Sequence, residues 1–451
     1  MPDLPLPVEF RKEIIQPALS ILRSGESCAL VGVGSSGKSN IARHLTRADV
    51  RLHYFRASVA QVFVLYLNCK PYASRAPHDL YLHALDQLER AIEELDGAFT
   101  ALRPSVNSLR QEALANPSAL AIRNLDRAID LVVRAGAEHI IFVLDDCDDL
   151  FARTPPSLFA DLRQLRDNHK LRLVYMTLTR REPSYLRDNT PEYEELFELL
   201  SAGGHILTVT PYLEDDGFYM LRRLAARQDP PQQILDAEIR LLYNLAGGHG
   251  GLIRSLYFAT RRDAGLLVPE GIDRLAANPD VQDECDKILN SLDEESNDLR
   301  RIILREASSA DGLRRLQTRG LIRPSLSGAP GIFSPVFETY LRRRYESAPE
   351  RISIEFREAD WQVVVNGEVI GNLVGPEYDI LRCMWEKRPQ PCTITELIEA
   401  MLPGERGLPE SKAQGNPLQR FGKYMQELRA KIGHDAAQHI RQDGDRYWIE
   451  S

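Results

Sequence analysis

The sequence predicts an α/β chain built on a parallel sheet, with a helical lid and two small helix-and-strand modules after it. Three observations carry this expectation. Short apolar runs alternate with amphipathic stretches through the first 211 residues, as strands joined by crossover helices do. A glycine-rich turn follows the first apolar run and opens a helix. From residue 351 onward the pattern changes to paired strands flanking helices.

Ser27–Val31, Val62–Leu67, Ile140–Leu144, Leu171–Leu178 and Ile206–Val209 read as strands. Ile140–Leu144 is continuously apolar, as a strand covered on both faces must be. Leu80–Leu95 and Leu120–Arg134 read as helices between them. After residue 212 the strands stop. Asp216–Gln228 and Ile234–Ala246 read as helices, separated by Pro230-Pro231, which a helix does not run through. Residues 283–346 form a unit of helices, a Gly320-Leu321-Ile322 step and a Gly331-Ile332-Phe333 strand, with Pro349 in a linker. Gln362–Val365 then meets Val369-Ile370 across Asn366-Gly367, a strong two-residue hairpin signal. Helices are expected at about 376–387, 393–401 and 416–432, and a second hairpin spans 439–449.

Composition excludes several classes. The 451 residues are 43% hydrophobic and 27% charged, so neither a disordered nor a fibrous chain is expected. No apolar run reaches the ~18 residues of a membrane helix. Met1-Pro2-Asp3-Leu4-Pro5 does not open a secretory signal, and a cytoplasmic location with no membrane association is expected. Six cysteines at no metal-like spacing argue against zinc and against a disulfide framework. The net charge of -9 means that any DNA contact must come from a local basic surface.

Gly32-Val33-Gly34-Ser35-Ser36-Gly37-Lys38-Ser39 fits G-x-x-x-x-G-K-[ST], with Asn40 continuing the helix behind it. Glycines let backbone N–H groups curl round a phosphate, and the helix N-terminus favours its charge. Lys38 is expected on the β- and γ-phosphates of ATP and the Ser39 hydroxyl on Mg2+. The matching acids follow Ile140–Leu144: Asp145 would hold Mg2+, and Asp146 would act as general base toward water. Triphosphate and metal are expected where two neighbouring buried strands end.

Asp145-Asp146-Cys147-Asp148-Asp149-Leu150 resembles the acidic segment of AAA+ initiator-type and STAND ATPases. Leu65-Tyr66-Leu67-Asn68-Cys69 resembles the second strand of the origin-recognition-like members. The resemblance implies a P-loop ATPase core over 1–211 and a helical lid over 212–282. Asp146 stands where AAA+ enzymes usually carry glutamate, one methylene longer, so slow hydrolysis is expected. Thr177-Leu178-Thr179-Arg180 is similar to the T-T-R element of STAND ATPases, which implies that Thr179 and Arg180 sense the γ-phosphate. Gly247-Gly248-His249-Gly250-Gly251-Leu252-Ile253-Arg254 resembles the lid motif G-G-x-P, with Gly250 in place of proline and Arg254 as the lid's phosphate contact. Phe10-Arg11 resembles the segment that flanks adenine. Arg153, Arg163, Arg166 and Arg181 stay open as candidates for an arginine finger.

Residues 283–348 are similar to the small winged helix that follows the lid in these ATPases, through Leu313–Ile322 and Phe333–Phe337. Residues 349–451 resemble the OmpR/PhoB-type winged helix of response regulators. Leu373–Leu381, Thr393–Leu397, Leu428–Gly433 and Tyr447–Ile449 carry that resemblance. In its third helix Leu418, Phe421, Met425, Leu428 and Ile432 recur at helical spacing and face the core. Gln419, Arg420, Lys423 and Gln426 then face outward, where such a helix reads the major groove. Lys412, Arg429, Lys431, Arg441 and Arg446 suit phosphates. Residues 350–451 hold 13 basic and 17 acidic side chains, yet 411–434 hold five basic and one acidic.

The expected function is an ATP-dependent switch that governs a DNA-binding winged helix, as in a transcriptional regulator. Its partners are double-stranded DNA and, in a nucleotide-dependent way, further copies of the chain. Two alternatives stay open: a signalling or defence ATPase whose winged helices bind a protein partner, and an initiator- or loader-like DNA remodeller.

Overall fold

The apolar runs of the N-terminal part become five strands: β1 (Cys28–Val31), β2 (Val62–Asn68), β3 (His139–Asp145), β4 (Leu173–Thr179) and β5 (Ile206–Thr208). In the computed structural model they pair in parallel in the order β2-β3-β4-β1-β5. Alternate residues serve two cores. Phe63, Leu65, Ile140, Phe142 and Tyr175 face one, while Val62, Val64, Ile141, Val143 and Met176 face the other. Both faces are covered, which is why β1 and β4 are apolar-rich and buried at every position. Helices α1 (Lys12–Arg23), α2 (Lys38–Leu45) and α3 (Ala48–Phe55) cover one face. The other lies under α4 (Pro77–Glu93), α5 (Arg103–Ala115), α6 (Pro117–Arg134), α7 (Asp148–Arg153), α8 (Ser157–Asn168) and α9 (Pro191–Ser201).

One expectation is corrected here. The strands that carry the glycine loop and the acids are not neighbours, because β4 lies between β1 and β3. The intervening strand separates their ends by ~10 Å, which leaves room for a loop to curl above β4.

The structure describes residues 5–94, 99–187, 190–268, 271–292, 295–323, 330–346, 353–357, 362–370, 373, 375–388, 390–405, 416–437 and 439–450. The chain divides into two units, Met1–Arg342 and Arg343–Ser451. Among the described residues no helix is long and apolar enough to cross a membrane.

In the first unit the sheet is followed by α10 (Glu214–Ala226), α11 (Asp236–Ala246), α12 (Gly250–Arg262) and α13 (Gly271–Ala276). Then come α14 (Pro279–Leu289), α15 (Glu295–Leu304), α16 (Ala310–Thr318), the hairpin β6 (Ile322–Arg323) and β7 (Gly331–Ile332), and α17 (Pro335–Glu346), within which the first unit ends. Helix α14 runs across the expected boundary at 282–283, and the expected boundary at 348–349 lies outside the described residues. Arg319, after α16, is buried: it forms an ion pair with Glu295 at 3.4 Å and donates to Ser291 O at 3.3 Å.

In the second unit β8 (Ile354–Arg357), β9 (Gln362–Val365) and β10 (Glu368–Ile370) form an antiparallel sheet. Asn366 and Gly367 both take positive φ, 51° and 87°, as a two-residue hairpin turn demands. Next come α18 (Pro376–Lys387), β11 (Cys392–Thr393), α19 (Ile394–Glu405), α20 (Pro417–Ile432), α21 (His434–Ala437) and the hairpin β12 (Ile440–Asp443) and β13 (Arg446–Ile449). Thr393 and Glu396 cap α19 reciprocally: Thr393 N donates to Glu396 Oε2 at 2.9 Å, and Glu396 N donates to Thr393 Oγ1 at 3.3 Å. Phe421, Met425, Leu428 and Ile432 of α20 are buried, as their spacing predicts. Leu418 is not: it is 52% exposed, in the first turn that Asn416 caps, and Tyr424 fills the core instead.

Removing one partner of a buried ion pair leaves an uncompensated charge. Arg319→Ala is therefore expected to lower stability by ~3 kcal/mol, read as a lower thermal or urea midpoint. An unchanged midpoint would contradict the pairing.

Candidate functional site

The glycine loop bends between β1 and α2 with Ser35 and Gly37 in the left-handed region, at φ 56° and 94°. At Gly37 the positive φ and the adjacent Tyr212 hydroxyl together exclude a side chain. The loop's backbone groups fall into two sets. Its carbonyls are taken: Lys38 Nζ donates to Gly32 O and Val33 O at 2.5 and 2.9 Å, His249 lies 2.8 Å from Gly34 O, and Gly251 N donates to Ser35 O at 3.1 Å. The amides of Ser35, Gly37, Lys38 and Ser39 have no protein acceptor among the described residues. Unpaired donors that converge at a helix N-terminus form a receptor for an anion.

The acids stand at the end of β3. Asp145 is 3% exposed and accepts a hydrogen bond from the Tyr66 hydroxyl at 2.9 Å. Tyr66 projects from β2, where Asn68 is in register with Asp145. Asp146 follows with φ 56°, a left-handed conformation uncommon for a side-chain-bearing residue, 3.9 Å from Lys70 Nζ. Burial raises its carboxyl above the ordinary range. Asp148 serves the backbone instead. It accepts from the amides of Arg180 at 2.9 Å and Arg181 at 3.4 Å, and contacts the Arg180 guanidinium at 3.4 Å.

A cavity of about 570 Å³ opens over these groups. Gly34–Asn40, Asp145, Asp146 and Arg180 line its floor. Met220 and Arg223 of α10, Arg227 just after it, Gly250, Gly251, Ile253 and Arg254 of α12, and Glu284 of α14 also line it. The site residues predicted around the loop therefore meet in one place: Ser35, Ser36, Lys38, Ser39, Asn40, Asp145, Asp146, Arg180 and Arg254. Arg254 is exposed toward this space. Gly32 and Val33 lie beneath it, buried against the strand ends. Thr179 is 0% exposed, and its Oγ1 is buried without a partner among the described residues; it lies under the loop, where Gly32 N donates to its carbonyl at 3.1 Å.

Phe10 and Arg11 do not line the cavity, since both are 0% exposed. They support Tyr212, which does: Phe10 packs 5.7 Å from its ring and Arg11 lies 4.9 Å over it. Arg166 is buried and donates to Gly25 O, so it cannot reach a second molecule.

His249 was missed by sequence reasoning. It caps α12, its Nδ1 accepting from Leu252 N at 3.3 Å, so the Nε2 hydrogen points to Gly34 O. Burial pushes its pKa down to about 4, with Glu284 raising it and Lys38 lowering it. Tyr66, Asp148 and Ser291 were also missed. A tyrosine near the end of an apolar strand and a histidine inside a glycine run were the available signals.

The second unit carries the residues predicted for nucleic acid. Gln419, Lys423 and Gln426 are exposed on α20, and Arg420 is half-buried beside them. Lys423 lies 3.9 Å from Glu427. Lys431 forms an ion pair with the buried Glu377 at 2.7 Å, Arg441 one with Glu450 at 2.5 Å, and Arg429 donates to Ile440 O at 3.4 Å. Those three are engaged inside the unit. Arg446 is exposed at the start of β13, and Lys412 lies outside the described residues.

Burial pushes the Lys38 ammonium down to about 8, against the pull of Asp148 and Asp145. An anion in the loop favours its charged form, so anion affinity is expected to fall as pH rises above 8. Titration of the full chain with ADP on either side of that value, near neutrality and well into the alkaline range, reads this, and equal affinities would contradict it. His249 is neutral in the fold but charges below its ordinary pKa once unfolded. Its contribution is therefore complete above about pH 6.5 and lost as pH falls toward 4. The melting temperature is expected to drop across that window more steeply in the natural protein than in His249→Gln; parallel curves would contradict it.

The family model for the AAA ATPase domain matches residues 11–176. None of the curated proteins matches the chain. Among solved structures, the chain is similar to a Walker-type ATPase of Pyrococcus abyssi, with 17% identity over 74% of this chain and 95% of that one and a TM-score of 0.45. It is also similar to the Aeropyrum pernix ORC1 protein, solved in complex with DNA, with 12% identity over 100% of this chain and 91% of that one and a TM-score of 0.38. For Cdc6p of Pyrobaculum aerophilum the identity is 12%, the coverage 99% and 92%, and the TM-score 0.35. The matched segment builds the loop and bears both acids, and the match supports an ATPase activity for the chain.

Proposed function

We propose that the chain is a cytoplasmic nucleotide switch: it binds ATP with Mg2+ in this cavity, hydrolyses it slowly, and thereby governs a DNA-binding C-terminal winged helix, as a transcriptional regulator does. One observation carries the reading. The phosphate loop, Asp145 and the lid arginine Arg254 border a single cavity, and four loop amides there have no protein acceptor among the described residues.

The free amides and Lys38 hold the phosphates, Lys38 trading its two loop carbonyls for phosphate oxygens. The Ser39 hydroxyl and Asp145 fit Mg2+, with Tyr66 occupying one carboxylate oxygen of Asp145 and leaving the other. Magnesium, when bound, neutralises charge on the phosphate oxygens. Asp146 accepts the proton of the attacking water, and its short side chain limits the rate. Arg180 and Arg254, which both line the cavity, contact the phosphates. Because α12 touches the loop through His249 and Gly251, a ligand that rearranges the loop shifts the lid. Self-association driven by ATP belongs to the same reading.

In the second unit α20 is the recognition helix, offering Gln419, Arg420, Lys423 and Gln426 to the major groove, with Arg446 on a phosphate. A second reading has a specific observation behind it. The acidic balance of residues 350–451, and the internal pairing of Lys431 and Arg441, suit a protein partner equally well.

Lys38→Ala is expected to abolish ATP and ADP binding, and retained affinity would refute the site. Asp146→Asn is expected to bind ATP as before and to turn over more slowly by about tenfold or more, on the order of a lost general base; unchanged turnover would remove its role. Duplex binding by the full chain, with and without ATP, is expected to weaken steeply with salt and to be reduced by Lys423→Ala. Absence of salt-sensitive duplex binding would favour the protein partner.

A further inference from the structure

Helix α14 places a carboxylate in the cavity that the reaction read above does not use. Glu284 lines the space beside the loop. Its Oε1 accepts from Lys287 Nζ, one turn on, at 2.6 Å. Its Oε2 is buried and has no hydrogen-bond partner among the described residues. Gly251 is what admits it, because a Cβ at position 251 would collide with that oxygen.

The same helix is seated on the phosphate loop. Ser291, just past its end, accepts from Gly34 N at 2.8 Å through Oγ. A Cβ on Gly34 would stand 2.9 Å from Lys287 O. Glu284 is therefore held against the Gly34–Ser35 half of the loop, away from the N-terminus of α2, whose amides cradle the inner phosphates. An anionic oxygen without a donor is costly in a buried site, and a second anion placed near it adds repulsion.

We propose that Glu284 sets the preference of this cavity between di- and triphosphate nucleotides. With α14 seated on the loop, its carboxylate opposes the added charge of a terminal phosphate, and the diphosphate is the tighter ligand. A triphosphate enters fully only when Glu284 turns away or α14 lifts, which breaks the contact of Ser291 with Gly34. The inference rests on the reading of the cavity as a nucleotide site.

The test is equilibrium binding of ADP and of the non-hydrolysable ATP analogue AMP-PNP, each with Mg2+, to the full chain. In Glu284→Gln the ratio of the AMP-PNP to the ADP dissociation constant is expected to fall on the order of tenfold, with ADP affinity little changed. Lys287→Ala strips the carboxylate of its counter-charge and is expected to raise the same ratio. A folding defect would weaken both ligands together and leave the ratio in place. A ratio unmoved in both variants while their ADP affinity is retained, with Lys38→Ala abolishing binding, would overturn the role of Glu284 alone. If Lys38→Ala binds both nucleotides normally, the nucleotide-site reading fails first.

Discussion

A loop that keeps its amide hydrogens free for an anion must have its carbonyls held by something else. That constraint organises the first unit. Lys38 folds back on Gly32 and Val33, His249 caps Gly34, and the amide of Gly251 caps Ser35. The donors come from α2 and from the N-terminus of α12, more than 200 residues later in the chain. The loop's shape thus depends on where α12 sits, and the seat of α12 depends on the loop. Buried backbone groups tolerate few orphans, so the two cannot move independently without a replacement partner.

The acids obey a related rule. Asp145 is buried but keeps a donor in Tyr66, and Asp148 takes the amides that end β4. Asp146 alone stays partly open, in a left-handed turn, with a carboxyl raised by burial. Three neighbouring aspartates therefore differ in environment: one is buried against a tyrosine hydroxyl, one is partly open with a raised carboxyl, and one holds backbone amides. Backbone strain and a perturbed carboxyl fall at the same residue, as is common at reactive sites.

Much of this was legible in the sequence. The five apolar runs became the five strands, because strands covered on both faces have no polar side to disguise them. The glycine loop and the acids lay where the motif predicted, and the Asn366-Gly367 turn closed the expected hairpin. Strand order was not legible, since spacing along a chain says nothing of which strand inserts between two others. His249, Ser291 and Glu284 were equally hidden, for each acts on a loop distant in sequence. Leu418 was misread because periodicity describes a helix interior, and its first turn lies at a capped end beyond the core. Lys431 and Arg441 looked free as residue types, but geometry gave them carboxylate partners.

The central claim is that a nucleotide occupies the space between the phosphate loop and the lid. Amide hydrogen exchange of the full chain, with and without Mg2+ and ADP, tests it most directly. The account predicts slowed exchange at residues 35 and 37–39, whose amides gain acceptors, and at the start of α12, which closes over them. Exchange unchanged at both segments while ADP is bound would contradict it.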